Sequence, residues 1–211
     1  MTLKFYMTPG SCSTGIHILL EELELAFEAH VLNLPAGDHL KPEYLAINPK
    51  GTIPALVRDD GSALTDFIAI ARWLGEAYPR AGLLPRTPDD EERVRDIMDY
   101  AGHVMHGQGF TRIFTTERYS HDPERHATIQ AEGRAIVERG FDYLNRLMAG
   151  REHVADDFGI ADASLFYIEF WADRIGIALP GHCRAHFQRL LQRRAVRQVL
   201  AEEGYASLLR G

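Results

Sequence analysis

The thiol of Cys12 is the side chain in this sequence best suited by type and position to nucleophilic chemistry. It follows a turn sequence, Thr-Pro-Gly-Ser at positions 8–11, and comes directly before a predicted helix. Free N–H groups and the positive end of the helix dipole lie near such a residue, so we expect its pKa to fall. Because no second cysteine lies within three residues, Cys12 cannot close a local dithiol loop, but it could form a mixed disulfide with an external thiol. The alternative is a small buried residue that packs the start of the helix.

A second candidate site is the backbone edge around Ile53 and Pro54. The turn sequence Asn-Pro-Lys-Gly-Thr at positions 48–52 runs into a short apolar strand with this proline at its start. Proline cannot donate to a sheet ladder, so it lies at an edge or a strand beginning, and a cis bond there would let Ile53 present its backbone to a ligand. Asp66 follows as a helix-start carboxylate. Together these features predict a site that holds a peptide.

The spacing of apolar and turn residues divides the chain into an α/β half and a helical half. Strands are predicted at 3–7, 28–34, 55–58 and 63–65, with helices at 14–25 and 66–78. Prolines and glycines at 79–88 indicate a linker. Beyond it, helices are predicted at 89–119, with a bend near Gly107 and Gly109, at 123–148 and at 159–175, followed by two or three short ones. We therefore predict domains at 1–80 and 89–211 joined by a linker at 81–88.

The composition and charge of the chain exclude several classes of protein function. The chain has 211 residues and a net charge of −7, which argues against a nucleic-acid partner. No apolar run is long enough to span a bilayer, and no signal peptide is visible, so we expect neither a membrane partner nor export. Two widely separated cysteines indicate a reducing cytoplasm. The ten scattered histidines show no ligand spacing, so we expect no metal.

The whole chain resembles the cytosolic glutathione S-transferase superfamily, and most of all its bacterial beta class. The similarity rests on the segment 4–13 with His17, on Asn-Pro-Lys-Gly at 48–51 ahead of Ile53 and Pro54, and on Asp-Tyr at 99–100 followed by Met-His at 105–106. It implies an α/β thioredoxin-like N-terminal domain and an all-α C-terminal domain that forms a hydrophobic substrate pocket. It further implies a cytoplasmic homodimer with a role in detoxification, and glutathione as co-substrate without a metal.

The resemblance implies a catalytic role for Cys12, Ser13 and His106. Cys12 corresponds to a cysteine that contacts the glutathione sulfur or bonds to it covalently. Ser13 and Ser11 are the rival hydroxyls, and Tyr6 is a weaker candidate because strand tyrosines are usually core. His106 corresponds to a histidine facing the sulfur region, where titration near neutral pH would suit a donor or general acid–base group.

The resemblance also implies a glutathione-binding set. Ile53 is expected to offer its backbone N–H and C=O to the cysteinyl unit, beside Thr52 and a cis Pro54. Asp66 is expected to receive the γ-glutamyl ammonium. Asp99 corresponds to a polar position that reaches across a dimer interface toward the glutathione of the partner subunit.

Phe67 departs from the family pattern, which has serine at this position. A serine hydroxyl would bind the γ-glutamyl carboxylate, and losing such a bond costs about 1.5–3 kcal/mol, so we expect weaker glutathione binding. The favoured function is conjugation of glutathione to small hydrophobic electrophiles. Two alternatives stay open: a thiol reductase or peroxidase that uses a Cys12 mixed disulfide, and a non-catalytic binding protein on the same fold.

Overall fold

A computed structural model describes residues 2–210, which form two compact units. The first unit contains the described residues up to Leu84 together with those from Leu190 on, and the second unit runs from Pro85 to Arg189. The sequence instead predicts a single helical domain over 89–211. One physical reason for the difference is an ion pair within the first unit, where the Arg193 guanidinium lies 2.6 Å from the Glu22 carboxylate.

One four-stranded sheet lies in the first unit, and its strands are the only ones among residues 2–210. They are Leu3–Met7 (β1), Phe27–Val31 (β2), Ala55–Val57 (β3) and Ala63–Thr65 (β4), in the order β2-β1-β3-β4. β1 pairs parallel with β2 and antiparallel with β3, and β3 pairs antiparallel with β4. Side chains alternate along β1, so that Leu3, Phe5 and Met7 are buried. This mixed sheet with its helices confirms the predicted thioredoxin-like α/β fold.

Helices make up most of the remaining structure. The α-helices are Ser13–Glu22 (α1), Pro42–Leu45 (α2), Phe67–Ala77 (α3), Pro88–Asp99 (α4), Thr111–Phe114 (α5), His126–Leu147 (α6), Ile160–Arg174 (α7), Gly181–Leu190 (α8) and Arg194–Glu202 (α9). Short 3₁₀ turns lie at Asp38–Leu40, Pro79–Ala81, Thr116–Arg118, Pro123–Arg125 and Ala206–Arg210. α2, which is only one turn long, has no counterpart among the elements predicted from the sequence. No helix within the described part of the chain is long and apolar enough to cross a membrane.

The helix predicted at 89–119 is instead interrupted by a wider helical segment. α4 continues into a π-helix over Tyr100–Phe110, and α5 follows it. Close packing against α6 accompanies this segment, since a Cβ atom on Gly133 would lie 2.7 Å from the Gly109 carbonyl oxygen. Segments of π-helix are rare and often occur at functional sites, and this one carries His106.

α7 is the buried helix at the centre of the second unit, and it lies within the helix predicted at 159–175. Thirteen of its residues, Ile160–Ala172, are buried. Its first turn is capped by the Asp162 carboxylate, which accepts a hydrogen bond from the Gly159 N–H at 2.9 Å. Asp162 thus has the structural capping role expected of this position.

Candidate active site

Ser13 holds the turn that precedes α1. Its Oγ accepts a hydrogen bond from the Thr8 N–H at 3.1 Å and donates to the Thr8 carbonyl at 3.0 Å. Ser11 Oγ lies 2.6 Å from Ser13 Oγ, where either hydroxyl can be the donor, so both acceptors within reach of the one Ser13 proton belong to this turn. The proton of the fully buried Ser13 is therefore used inside the turn, which favours a structural role over donation to a ligand.

Cys12 lies at the end of this turn, beside the predicted peptide-binding edge. It precedes the first residue of α1, and its Sγ lies 3.7 Å from the carbonyl oxygen of Ile53. The expectation of a lowered pKa is wrong: burial raises the pKa of Cys12 to about 12, although the backbone N–H groups of Cys12 and Ser13 act to lower it. Only 7% of the residue is exposed, so the lost hydration of a thiolate outweighs the helix terminus. At neutral pH, Cys12 is a protonated thiol directed at Ile53.

The Ile53–Pro54 peptide bond is cis, as predicted. Pro54 is buried directly before β3, while Ile53 is half-buried and Thr52 is exposed. The carbonyl of Pro54 accepts a hydrogen bond from the Asp66 N–H at 3.4 Å. That bond places the start of α3 next to the same edge.

Asp66 caps α3 in a strained backbone conformation. Its φ of 86° and ψ of 161° lie in a region that non-glycine residues rarely occupy, and such residues cluster at ligand-binding sites. One carboxylate oxygen accepts a hydrogen bond from the Ala69 N–H at 3.1 Å, and the other lies 3.8 Å from the Lys50 ammonium. The side chain is exposed, so the helix-start carboxylate predicted from the sequence is accessible to a cationic group.

Phe67 follows Asp66 as the first residue of α3, and its side chain is buried. The aromatic ring therefore belongs to the core of the first unit and supplies no hydroxyl at the edge. The first unit brings Cys12, Ile53, Pro54 and Asp66 together through a continuous series of contacts, with Thr52 and Phe67 adjacent in sequence.

His106 lies in the second unit, against aromatic side chains. Its Nδ1 lies 3.5 Å from the hydroxyl oxygen of Tyr167, and its ring centroid is 4.9 Å from that of Trp171. Burial lowers the pKa of His106 to about 4, so the expected titration near neutral pH is wrong. A neutral imidazole carries one N–H and can act as a hydrogen-bond donor without gaining a proton.

His106 belongs to an aromatic cluster in which its ring contacts Tyr167 and Trp171. The rings of this cluster contact one another at centroid distances between 4.9 and 5.8 Å, and its members are His106, Phe110, Phe114, Tyr167 and Trp171. Phe114 is 45% exposed, so the cluster reaches the surface of the second unit. Asp99, the last residue of α4, is exposed, and its carbonyl accepts a hydrogen bond from His103 Nδ1 at 3.0 Å.

Glu203 is a site-supporting residue that the sequence analysis missed. Its carboxylate accepts hydrogen bonds from the Gly10 N–H and the Thr14 hydroxyl, each at 2.7 Å, and lies 2.9 Å from His17 Nδ1. Tyr205 also packs on the turn, since a Cβ atom on Gly10 would collide with its hydroxyl. Local patterns carry no signal for contacts that join the two ends of a chain.

A buried charged network in the second unit was likewise not predicted from the sequence. His186 Nδ1 lies 2.9 Å from the Glu169 carboxylate, and its Nε2 lies 3.0 Å from that of Asp162. Burial alone would lower the pKa of His186, but the Glu169 charge and the hydrogen bonds to both carboxylates raise it to about 10. His153 Nδ1 lies 3.3 Å from Asp162 Oδ1. Hydrogen bonds therefore hold the two histidines and the two carboxylates of this network together.

Known proteins resemble this chain over its whole length. Residues 10–77 match the family model described as the N-terminal domain of glutathione S-transferase. Glutathione S-transferase GstA of Escherichia coli O157:H7 is 32% identical, with 96% of this chain and 99% of the relative covered.

Solved structures show the same fold. A glutathione transferase homologue from Sulfitobacter with bound glutathione has a TM-score of 0.88 at 27% identity, covering 95% of this chain and 98% of that one. A bacterial beta-class glutathione S-transferase of Sphingomonas chungbukensis has a TM-score of 0.82 at 29% identity, covering 96% and 99%.

Proposed function

The chain belongs to the cytosolic glutathione S-transferase superfamily, and on that premise we propose that it conjugates glutathione to small hydrophobic electrophiles. The observation that carries the proposal is the contact between Cys12 and Ile53, whose sulfur and carbonyl oxygen are 3.7 Å apart. This contact places a thiol proton beside the backbone edge assigned to the cysteinyl unit of glutathione. Asp66, linked to the same edge through Pro54, would receive the γ-glutamyl ammonium.

The protonation state of Cys12 favours a transferase over a thiol reductase. A reductase would need the Cys12 thiolate as nucleophile or leaving group, and burial raises the pKa of this thiol to about 12. A protonated thiol can instead turn its S–H from Ile53 toward the glutathione sulfur and stabilise the glutathione thiolate by a hydrogen bond. The nucleophile is then the glutathione sulfur itself.

The proposed reaction needs no change of oxidation state in the protein. Glutathione loses its thiol proton to solvent, its sulfur forms a bond to an electron-poor carbon, and a leaving group such as chloride departs with its electron pair. Within the second unit, the aromatic cluster around His106 exposes apolar surface of the kind that small hydrophobic electrophiles bind. Neutral His106 would act there as a hydrogen-bond donor and would not supply a proton.

We further propose that the protein works as a homodimer in which Asp99 contributes to the glutathione site of the partner subunit. Asp99 is exposed on α4, as this role requires. Light scattering on the purified protein should give twice the mass of the chain. Asp99→Asn should raise the KM for glutathione in that dimer. A monomeric mass, together with a KM in Asp99→Asn equal to that of wild type, would contradict this proposal.

The central test compares two reactions in wild type and Cys12→Ala. We expect the wild type to conjugate glutathione to 1-chloro-2,4-dinitrobenzene and to reduce a glutathione mixed disulfide poorly. Cys12→Ala should keep conjugation at a level reduced about 10-fold, as expected for one lost hydrogen bond to a charged group. Disulfide reduction that is dominant and abolished by Cys12→Ala would favour the reductase. If the wild type shows neither activity and is not retained on immobilised glutathione, the result would favour a non-catalytic binding protein.

A further inference from the structure

We propose that Tyr44 and Asn48 are positioning residues that orient the Thr52–Ile53 peptide group to receive glutathione. The inference rests on the proposed function, which assigns glutathione to this edge. Neither side chain has a role in the glutathione-binding set inferred from the sequence. Both act through the backbone of Thr52.

Two buried side chains converge on a single carbonyl oxygen. The Tyr44 hydroxyl donates to the Thr52 carbonyl at 2.5 Å, and Asn48 Nδ2 donates to the same oxygen at 2.7 Å. Asn48 is fully buried and Tyr44 is 3% exposed. A carbonyl oxygen has two lone pairs, so these two donors use its full acceptor capacity.

The amide of Asn48 is itself fixed in orientation. Its Oδ1 accepts a hydrogen bond from the Lys50 N–H at 3.1 Å, which assigns the opposite side of the amide, Nδ2, to Thr52. Asn48 also closes the turn through its carbonyl, which accepts a hydrogen bond from the Gly51 N–H at 3.0 Å. The turn at 48–52 is therefore built around this one side chain.

The direction of the Thr52 carbonyl fixes the direction of the Ile53 N–H. In a trans peptide group the C=O and N–H vectors point in opposite directions, and the bond between Thr52 and Ile53 is trans. The Ile53 N–H therefore points away from Tyr44 and Asn48. Among residues 2–210, none accepts a hydrogen bond from it.

A backbone carbonyl of glutathione would provide the missing acceptor. Rotation of the Thr52–Ile53 peptide group would turn the N–H inward and direct a carbonyl at the ligand. Tyr44 and Asn48 oppose that rotation, so they pre-organise the edge before glutathione binds. Replacing Tyr44 or Asn48 should consequently weaken glutathione binding and leave the KM for the electrophile unchanged.

The test compares wild type with Tyr44→Phe and Asn48→Ala, and uses Tyr143→Phe as a matched control. The Tyr143 hydroxyl also donates one short hydrogen bond, to Asp96 at 2.6 Å in the second unit. We expect the KM for glutathione to rise about 3–10-fold in Tyr44→Phe and Asn48→Ala, the range of one hydrogen bond. The KM for 1-chloro-2,4-dinitrobenzene should stay within about twofold in every variant. Tyr143→Phe should match the wild type for both substrates.

A second measurement separates this inference from the proposed function. Without ligand, the amide resonance of Ile53 in a ¹⁵N–¹H correlation spectrum should shift in Tyr44→Phe and stay unchanged in Tyr143→Phe. If wild type fails to bind glutathione by calorimetry, the proposed function fails, and the Ile53 resonance still decides whether the peptide group depends on Tyr44. An unchanged resonance with wild-type KM in Tyr44→Phe overturns the inference, even if Asn48→Ala fails to fold.

Discussion

The carboxylate of Glu203 accepts a hydrogen bond from the backbone N–H of Gly10 at 2.7 Å, which ties the C-terminal segment to the turn before Cys12. The same carboxylate contacts the Thr14 hydroxyl and His17 within α1. Its side chain is 1% exposed. One buried carboxylate therefore fixes both the turn and the first two turns of the helix that follows.

Replacing Glu203 by glutamine should destabilise the protein. The amide has one acceptor oxygen where the carboxylate has two, and hydrogen bonds to a buried charge contribute about 1.5–3 kcal/mol each. We expect Glu203→Gln to lower the free energy of unfolding in urea at pH 7 by about 2–4 kcal/mol. Glu202→Gln is the control, because Glu202 contacts the same histidine, His17, from an exposed position at 3.3 Å. That variant should change stability by less than about 0.5 kcal/mol, and equal losses would contradict the role of Glu203.

Alkylation of Cys12 should be slow at neutral pH and should accelerate steadily as pH rises. Because burial raises the pKa of Cys12 to about 12, the reactive thiolate fraction grows about tenfold per pH unit through pH 10. The raised pKa means that the folded state holds this proton more tightly. The contribution of this bound proton to the stability of the folded state is complete below the unfolded pKa of about 8.5 and is lost as pH rises toward 12.

Iodoacetamide labelling read by mass spectrometry of the Cys12 peptide measures this behaviour directly. Reading that peptide alone keeps the buried Cys183 out of the measurement. We expect no plateau in the labelling rate below pH 10. A plateau near pH 7 would show a low pKa and would restore the expectation drawn from the helix terminus.

The sequence predicted the parts of the site that depend on local chemistry. The capping carboxylate of Asp66 follows from residues that are close neighbours in the chain, and the cis bond before Pro54 was expected from the family resemblance. The thioredoxin-like sheet also follows from local patterns and the family resemblance. In each of these cases, the determining residues lie within one or two elements.

The electrostatics of Cys12 and His106 could not be predicted in this way. Burial sets both pKa values, and burial depends on side chains distant in sequence. The turn before Cys12 depends on Glu203, at the other end of the chain. The backbone N–H groups at the start of the helix do lower the pKa of Cys12, but by less than the opposing desolvation raises it.

Phe67 should limit glutathione affinity while supporting the core. Phe67→Ser would place a hydroxyl beside Asp66, and Phe67→Ala removes the same buried ring without adding the hydroxyl. The ring loss should cost about 3–5 kcal/mol of stability in either variant. We expect Phe67→Ser to bind glutathione at least about 10-fold more tightly than Phe67→Ala in calorimetric titration, the gain of a hydrogen bond to a charged group. Equal affinities would show that this position does not contact the γ-glutamyl carboxylate.

The His186 network should make stability depend on pH in the alkaline range. The carboxylates of Glu169 and Asp162 raise the pKa of His186 to about 10 against the burial that lowers it, and the unfolded value is about 6.5. The stability that His186 contributes is therefore complete below about pH 6.5 and is lost as pH rises through about 10. Desolvation acts to raise the pKa of Asp162, but hydrogen bonds from His153 and His186 hold that pKa below its usual range. Asp162 therefore stays charged through the alkaline range and is protonated only at acid pH.

Urea unfolding between pH 6.5 and 10 measures this effect in wild type and His186→Gln. We expect His186→Gln to lose about 3–5 kcal/mol at pH 7, the cost of removing one partner from a buried charged pair. The decline in stability from pH 7 to pH 10 should be weaker in this variant than in wild type, since the titrating group is gone. His121→Gln, at an exposed position, should keep both the stability and the pH slope of wild type. If His186→Gln retains the full alkaline slope, the charge on His186 is not what stabilises α7 against α8.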